Sequence, residues 1–206
     1  MAMGTRQPSM EVRNLTADAE TFTANAYLVD DSTLVDVGAV PGIASAIDRL
    51  DTVVLTHQHG DHVAQLDEIV EAFDPAVYAF DSHPARTHAI EDGDQVDIGT
   101  ATYEVVYTPG HASDHVVFLG EEAIFSGDVV VYEDGAFSRG SFGRTDQPGQ
   151  SRERLIESID TILDRMGPNV TRMYPGHGPH YEGDVREVVE RSLKRASRRE
   201  LKYSED

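Results

Sequence analysis

The chain contains no cysteine. Disulfides, thiolate metal sites and cysteine nucleophiles are all excluded, so any metal must be held by nitrogen and oxygen ligands. Lysine is nearly absent: Lys194 and Lys202 are the only two, and the rest of the 17 basic residues are arginine. No apolar run approaches the roughly 20 residues that span a membrane. The opening MAMGTRQPSMEV has no apolar core of signal-peptide length. These absences lead us to expect a soluble, cytoplasmic protein.

What is abundant is acid. There are 37 Asp and Glu residues against 17 Lys and Arg, a formal net charge of -20. A folded, acidic, lysine-poor surface stays hydrated where salt screens repulsion to within about 3 Å at 1 M, so we expect a halophilic protein. The same charge repels phosphate and argues against a nucleic-acid partner. At 206 residues the chain can bury one core without disulfides or a structural metal. We expect a single domain over 1–206 with a basic C-terminal helix at about 184–202. Oligomeric state is not legible.

Periodicity gives the elements. Phe22–Val29 and Thr33–Val37 read as strands, and Pro41 opens a short helix to about Leu50. Thr52–Thr56 reads as a buried strand and His62–Phe73 as an amphipathic helix. Strands follow at Ala76–Phe80, Val96–Ile98, Ala101–Thr108, His115–Leu119 and Ala123–Ser126. Glu133–Gly149 is a glycine-rich loop long enough to be functional. Ser151–Met166 reads as a helix and Val170–Tyr174 as a strand. Asp184, with Glu187 three residues on, caps a last helix. Strands and helices alternate with hairpins between, which suggests a layered α/β fold.

The most informative stretch is His57-Gln58-His59-Gly60-Asp61-His62. His-x-His-x-Asp-His would arise by chance about 0.002 times in a chain of this composition, which sets aside a mere polar turn. His57 and His59 lie two apart, so in extended backbone they share a side, while Asp61 and His62 open the helix towards a neighbouring position. One turn can thus serve two adjacent cations, and imidazole and carboxylate suit zinc, iron or manganese. His111, Asp128 and His177 stand just after further strands, each beside a glycine where the chain must turn sharply.

Taken in order, THQHGDH, TPGHASDH, SGD and YPGHG resemble the metallo-β-lactamase superfamily over roughly Asn25 to His180. That resemblance implies a four-layer αββα sandwich with metals at one edge between the sheets. It implies one ion on His57, His59 and His111, a second on Asp61, His62 and His177, and Asp128 bridging. Asp36 matches a position that hydrogen-bonds a ligand histidine and fixes its ring. The loop RGSFGRTDQPG is similar to that of the glyoxalase II (hydroxyacylglutathione hydrolase) group of thioester hydrolases.

The resemblance implies two divalent ions, zinc first with iron or manganese as alternatives. It implies hydrolysis of a small-molecule thioester of the S-lactoyl-thiol type by a hydroxide shared between them, with Asp61 and Asp128 as the catalytic carboxylates. A bound ion lowers the pKa of water towards roughly 7. The alternatives are a persulfide dioxygenase with a single iron and a metal-dependent ribonuclease. Arg139, Arg144 and Tyr181 are candidate substrate contacts; Arg144 pairing with Asp146 is the competing structural reading. The glyoxalase II pattern also includes a longer helical C-terminal domain that grips glutathione, so we expect a different thiol carrier here. Seven basic residues fall between Arg186 and Lys202, and the simplest expectation is a solvated or self-pairing helix.

Overall fold

The computed structural model describes residues 10–202. The strands in chain order are β1 (Val12–Asn14), β2 (Tyr27–Val29), β3 (Thr33–Val35), β4 (Thr52–Val54), β5 (Ala76–Ala79), β6 (His88–Ala89) and β7 (Gln95–Ile98). They continue as β8 (Ala101–Tyr107), β9 (Val116–Leu119), β10 (Ala123–Gly127), β11 (Val130–Val131), β12 (Ser141–Phe142), β13 (Arg172–Pro175) and β14 (Tyr181–Glu182). The helices are α1 (Gly60–Val63), α2 (Leu66–Phe73), α3 (Arg152–Arg165) and α4 (Val185–Ser197). One six-stranded sheet runs β1 to β6 in order, and a second runs β14-β13-β10-β9-β8-β7.

Three apolar clusters define the layers. Tyr27, Val35 and Val54 of the first sheet meet Val105, Phe118 and Phe125 of the second, so the sheets pack face to face. The other face of the first sheet, through Leu34, Val53 and Val77, packs on Leu66 and Ile69 of α2. The other face of the second, through Val117, Ile124 and Met173, packs on Leu155 and Ile159 of α3 and Val185 and Val189 of α4. Helix, sheet, sheet, helix is the αββα order. Strands buried on both faces cannot alternate with polar residues, which is why β4 and β9 read as continuous apolar runs.

Several elements differ from the sequence reading, for identifiable reasons. The helix expected from Pro41 is one 3-10 turn, Ile43–Ala46, because Gly42 is left-handed (φ 81°) and Glu68 takes the amide protons of Gly42 and Ala44 at 2.9 and 3.1 Å. The His62–Phe73 helix is broken between α1 and α2. The His62 carbonyl, which would accept from residue 66, instead accepts from the amides of Val37 (2.9 Å) and Gly38 (3.2 Å). The strand expected from Phe22 begins only at Tyr27, since the amides of Ala24 and Asn25 go to the carbonyls of Asp61 (3.2 Å) and Gly176 (2.7 Å). The Glu133–Gly149 loop is tethered by the β11–β12 ribbon.

Side-chain oxygens cap both long helices. Ser151 accepts from the Arg154 amide and Asp184 from the Glu187 amide, at 3.2 and 2.9 Å. The cations of the C-terminal segment divide: Lys194, Arg198 and Arg199 are exposed and Arg191 pairs with Glu187 one turn back, while three others reach inward. Arg186 donates to the carbonyls of Leu163 and Met166 at the end of α3 (3.1 and 2.7 Å), Arg195 to Ser138 and Gly140, and Lys202 to Phe142 and Asp134. Among the described residues no helix is long and apolar enough to cross a membrane.

Candidate metal centre

Every ligand-type residue sits where a strand ends. His57, His59, Asp61 and His62 follow β4, His111 follows β8, Asp128 follows β10 and His177 follows β13. The parallel pairing of β10 with β13 puts the last two side by side, and face-to-face packing brings the β4 end opposite. Three overlapping groups result: His57/His59/His111, His57/His62/Asp128 and Asp61/His62/His177, each with donor atoms within 4.8 Å of one another.

The inner atoms point at one another. Nε2 of His57 lies 3.0 Å from Nδ1 of His59, which lies 2.9 Å from Nε2 of His111. Asp128 spans the cluster: Oδ1 faces Nε2 of His62 at 3.4 Å, and Oδ2 faces Nε2 of His111 and His177 at 3.3 and 3.5 Å. Asp61 Oδ2 meets Nε2 of His177 at 3.1 Å. Buried His62 Nε2 and Asp128 Oδ1 make no hydrogen bond. Burying such groups unpaired is costly, so these two orphaned atoms fit a donor set for cations.

The outer ring atoms are tied down. Asp36 accepts from His62 Nδ1, from the Thr56 amide and from Thr56 Oγ1, all at 2.8 Å. His111 Nδ1 donates to the Arg144 carbonyl at 2.9 Å. In the neutral imidazole each such bond fixes the tautomer and leaves the inner nitrogen as the acceptor. Asp36 holds a left-handed backbone (φ 53°), which aspartate tolerates better than most residues.

The electrostatics follow from burial and these contacts. Burial, with the neighbouring histidines, holds His57 and His115 well below the ordinary imidazole value. Burial opposes charge on His62 too, but Asp36 and Asp128 outweigh it and raise its pKa well above 6.5. Burial alone would raise Asp61 and Asp128; the adjacent histidines overcome it and hold both carboxylates low. Burial raises Asp114, whose Oδ2 accepts the Gln58 amide at 2.9 Å on the cavity wall.

The glycines beside Asp128 and His177 serve different purposes. Gly127 does turn the chain, with φ 48°. Gly176 has no positive φ; a Cβ there would lie 2.2 Å from Asp128 Oδ1, so glycine is needed for close approach.

A cavity of about 850 Å³ opens over the cluster, with Phe22, Asp114, Val131, Arg144, Gln147 and Lys202 among its walls. Arg144 reaches it while pairing with Asp146 at 2.7 Å. Arg139 and Tyr181, the other candidate substrate contacts, lie elsewhere. Arg139 is exposed outside the lining, and Tyr181 stacks on Tyr132 at 4.4 Å against the helical core. Tyr174 is a core residue between the sheets. Sequence reasoning missed His115, Asn25 and Phe22. His115 was visible inside TPGHASDH, but nothing local said what its ring would touch. Asn25 donates to the Pro175 and Gly178 carbonyls around His177, at 2.8 and 2.9 Å.

An αββα sandwich thus gathers seven histidine and aspartate donors at one edge of its paired sheets, a set chemically suited to metal ions. The chain belongs to the metallo-β-lactamase superfamily, whose family model matches residues 19–87. It is 34% identical over 166 residues to the beta-lactamase-like protein 2 homolog of Caenorhabditis elegans, covering 74% of this chain and 52% of that protein. It is 30% identical over 155 residues to a hydroxyacylglutathione hydrolase of Vibrio cholerae, covering 71% and 57%. The chain thus spans about half the length of these curated relatives. Among solved structures it resembles ETHE1 from Myxococcus xanthus, with a TM-score of 0.70, 22% identity and coverage of 93% and 92%; at that identity the likeness is one of fold.

Proposed function

We propose that the protein is a metal-dependent hydrolase of small-molecule thioesters, of the S-lactoyl-thiol type. One observation carries the reading: His62 Nε2 and Asp128 Oδ1, buried and without a hydrogen bond, belong to the donor group that shares His57 with one neighbouring group and His62 with the other. His57, His59 and His111 would hold one divalent ion and Asp61, His62 and His177 a second, with Asp128 shared between them. Zinc is the first choice and iron or manganese the alternatives. Such ions, when bound, acidify water and polarise a carbonyl.

The chain's own groups supply the rest. Asp61 and Asp128 keep their carboxylates ionised and can accept the proton of an attacking water. The Asp36–His62 bond holds the imidazole ring, and the Arg144 carbonyl holds His111. A thiolate leaves readily, so no strong protein acid is required. The likeness to a hydroxyacylglutathione hydrolase supports the thioester class. A single-iron oxidation would leave Asp61 and His177 without a role, and their 3.1 Å pairing beside His62 supports two ions.

The test is metal analysis of the purified protein alongside a screen of S-lactoyl derivatives of two or three thiols. We expect close to two ions per chain and turnover that a chelator removes. Turnover that survives chelation, or oxygen consumption with a persulfide in place of thioester cleavage, overturns the reading.

A further inference from the structure

Among the described residues, Phe22 and Leu201 are the only large hydrophobic side chains left exposed, and Phe22 is 80% exposed. Its position is constructed. One ring face lies on the His177 imidazole, with centroids 5.1 Å apart and planes within 19°. The following residues are fastened to both halves of the metal site. Thr23 Oγ1 accepts the Ala39 amide at 2.7 Å, Ala24 donates to the Asp61 carbonyl and Asn25 to the Gly176 carbonyl. The segment that carries Phe22 is therefore held in register with the ligands, and the ring stands in the cavity wall beside them.

Leaving an aromatic ring in water is unfavourable, and stacking on His177 covers only one face of it. The remaining surface gains if an apolar group of a bound molecule lies against it. Elsewhere the wall carries smaller apolar side chains, Ala112, Val131 and Pro148, among polar and charged ends that include Gln147, Arg144 and Lys202, so Phe22 is its one large apolar surface. Resting on the thioester reading above, we propose that Phe22 is a specificity-determining residue that receives the apolar part of the acyl group. The favoured substrates are then thioesters whose acyl chain carries several carbons or a ring; this keeps the thioester class of that reading and replaces lactoyl as its preferred acyl group.

The test uses the full-length, metal-loaded protein and a series of S-acyl N-acetylcysteamine thioesters from lactoyl through butanoyl to hexanoyl. Wild type should show kcat/KM rising with acyl length. In Phe22→Ala the hexanoyl-to-lactoyl ratio should fall by about fivefold, the scale expected for losing partial burial of one ring. Phe22→Leu should recover most of it, because apolar area is kept. Calorimetry with the uncleavable S-hexyl and S-methyl thioethers gives a second reading: wild type should prefer the hexyl compound, and Phe22→Ala should lose that preference. A flat acyl-length profile and equal thioether binding in wild type overturn the proposal. So does a Phe22→Ala protein that sheds metal and loses all substrates alike, since the ring would then serve only to shield His177. If no thioester is cleaved but the hexyl preference persists and depends on Phe22, the platform stands and the reaction class falls.

Discussion

The backbone amide of Asp128 donates to Nε2 of His115 at 3.0 Å, inside a site where the His115 ring is wholly buried. Because Nε2 accepts, the ring proton sits on Nδ1, which lies 2.9 Å from Thr108 Oγ1. His115 thus fixes the turn that aims the Asp128 carboxylate at both donor groups. Replacing it by leucine leaves a buried amide unpaired, at a cost of about 1–3 kcal/mol. We expect His115→Leu to unfold at lower denaturant and to bind fewer ions per chain, read by chemical denaturation and metal titration. Full ion stoichiometry in the variant would contradict this.

Asp36 carries three hydrogen bonds on one carboxylate, one of them to His62. Asp36→Asn keeps the size and the tolerance for positive φ but removes the charge that orients the imidazole. Affinity at the ion site that uses His62 should fall by roughly 10–100-fold, while the other site is less affected. Competition titrations with a coloured chelator would resolve the two.

Gly176→Ala tests close approach separately from backbone strain. The added methyl would press on Asp128 Oδ1 at 2.2 Å and on His62 Cε1 at 2.8 Å. Displacing those groups by about an ångström should cost on the order of 100-fold in turnover. Gly176 has no positive φ, so alanine adds no left-handed strain, and the melting temperature of the chelated protein should fall only by what an overpacking cost of about 1–3 kcal/mol produces.

The histidines set a pH profile for the metal-free protein. Those held low, His57, His59 and His115, refuse protons that the unfolded chain accepts below pH 6.5, so stability falls as pH drops under that value. Those held high, His62 and His177, contribute stability that is complete below 6.5 and lost as pH rises through their folded values. The histidine contribution should therefore peak near pH 6.5, with slopes of up to about 1.4 kcal/mol per pH unit for each group. Urea unfolding of chelated protein between pH 5.5 and 8.5 would show it, and a monotonic profile would refute it. Metal affinity should rise with pH over the alkaline side, since a cation needs the nitrogen that His62 protonates.

Charge gives one more expectation. At a net formal charge of -20, self-repulsion opposes the compact state and salt relieves it. The melting temperature should climb between 0.1 and 1 M potassium chloride; a flat or falling trend would remove the case for a halophilic surface.

What could be read in advance was whatever is encoded over short distances. His57 to His62 announced a donor cluster because four residues in one turn need no tertiary knowledge. Helices α3 and α4 were legible from their apolar spacing and caps. The elements that depart from their local pattern are those whose backbone groups are taken by distant partners: Ala24 and Asn25 by the ligand-bearing loops, His62 by the Val37 turn, and Gly42 by Glu68. The short edge strands β1, β6 and β14 carry too few residues for an alternating pattern. His115 and Phe22 had no signal of their own, since their roles exist only once β10 and the 23–25 segment are in place.

The donor cluster is divided between two parts of the polypeptide. The turn after β4 brings His57, His59, Asp61 and His62, while β8, β10 and β13 bring His111, Asp128 and His177. Of the three groups, each needs a member from both. Cation capture therefore reports the docking of one sheet against the other. Chain cut in the loop between them should remain blind to metal until its pieces reassociate, and the ions would then act as rivets along the join.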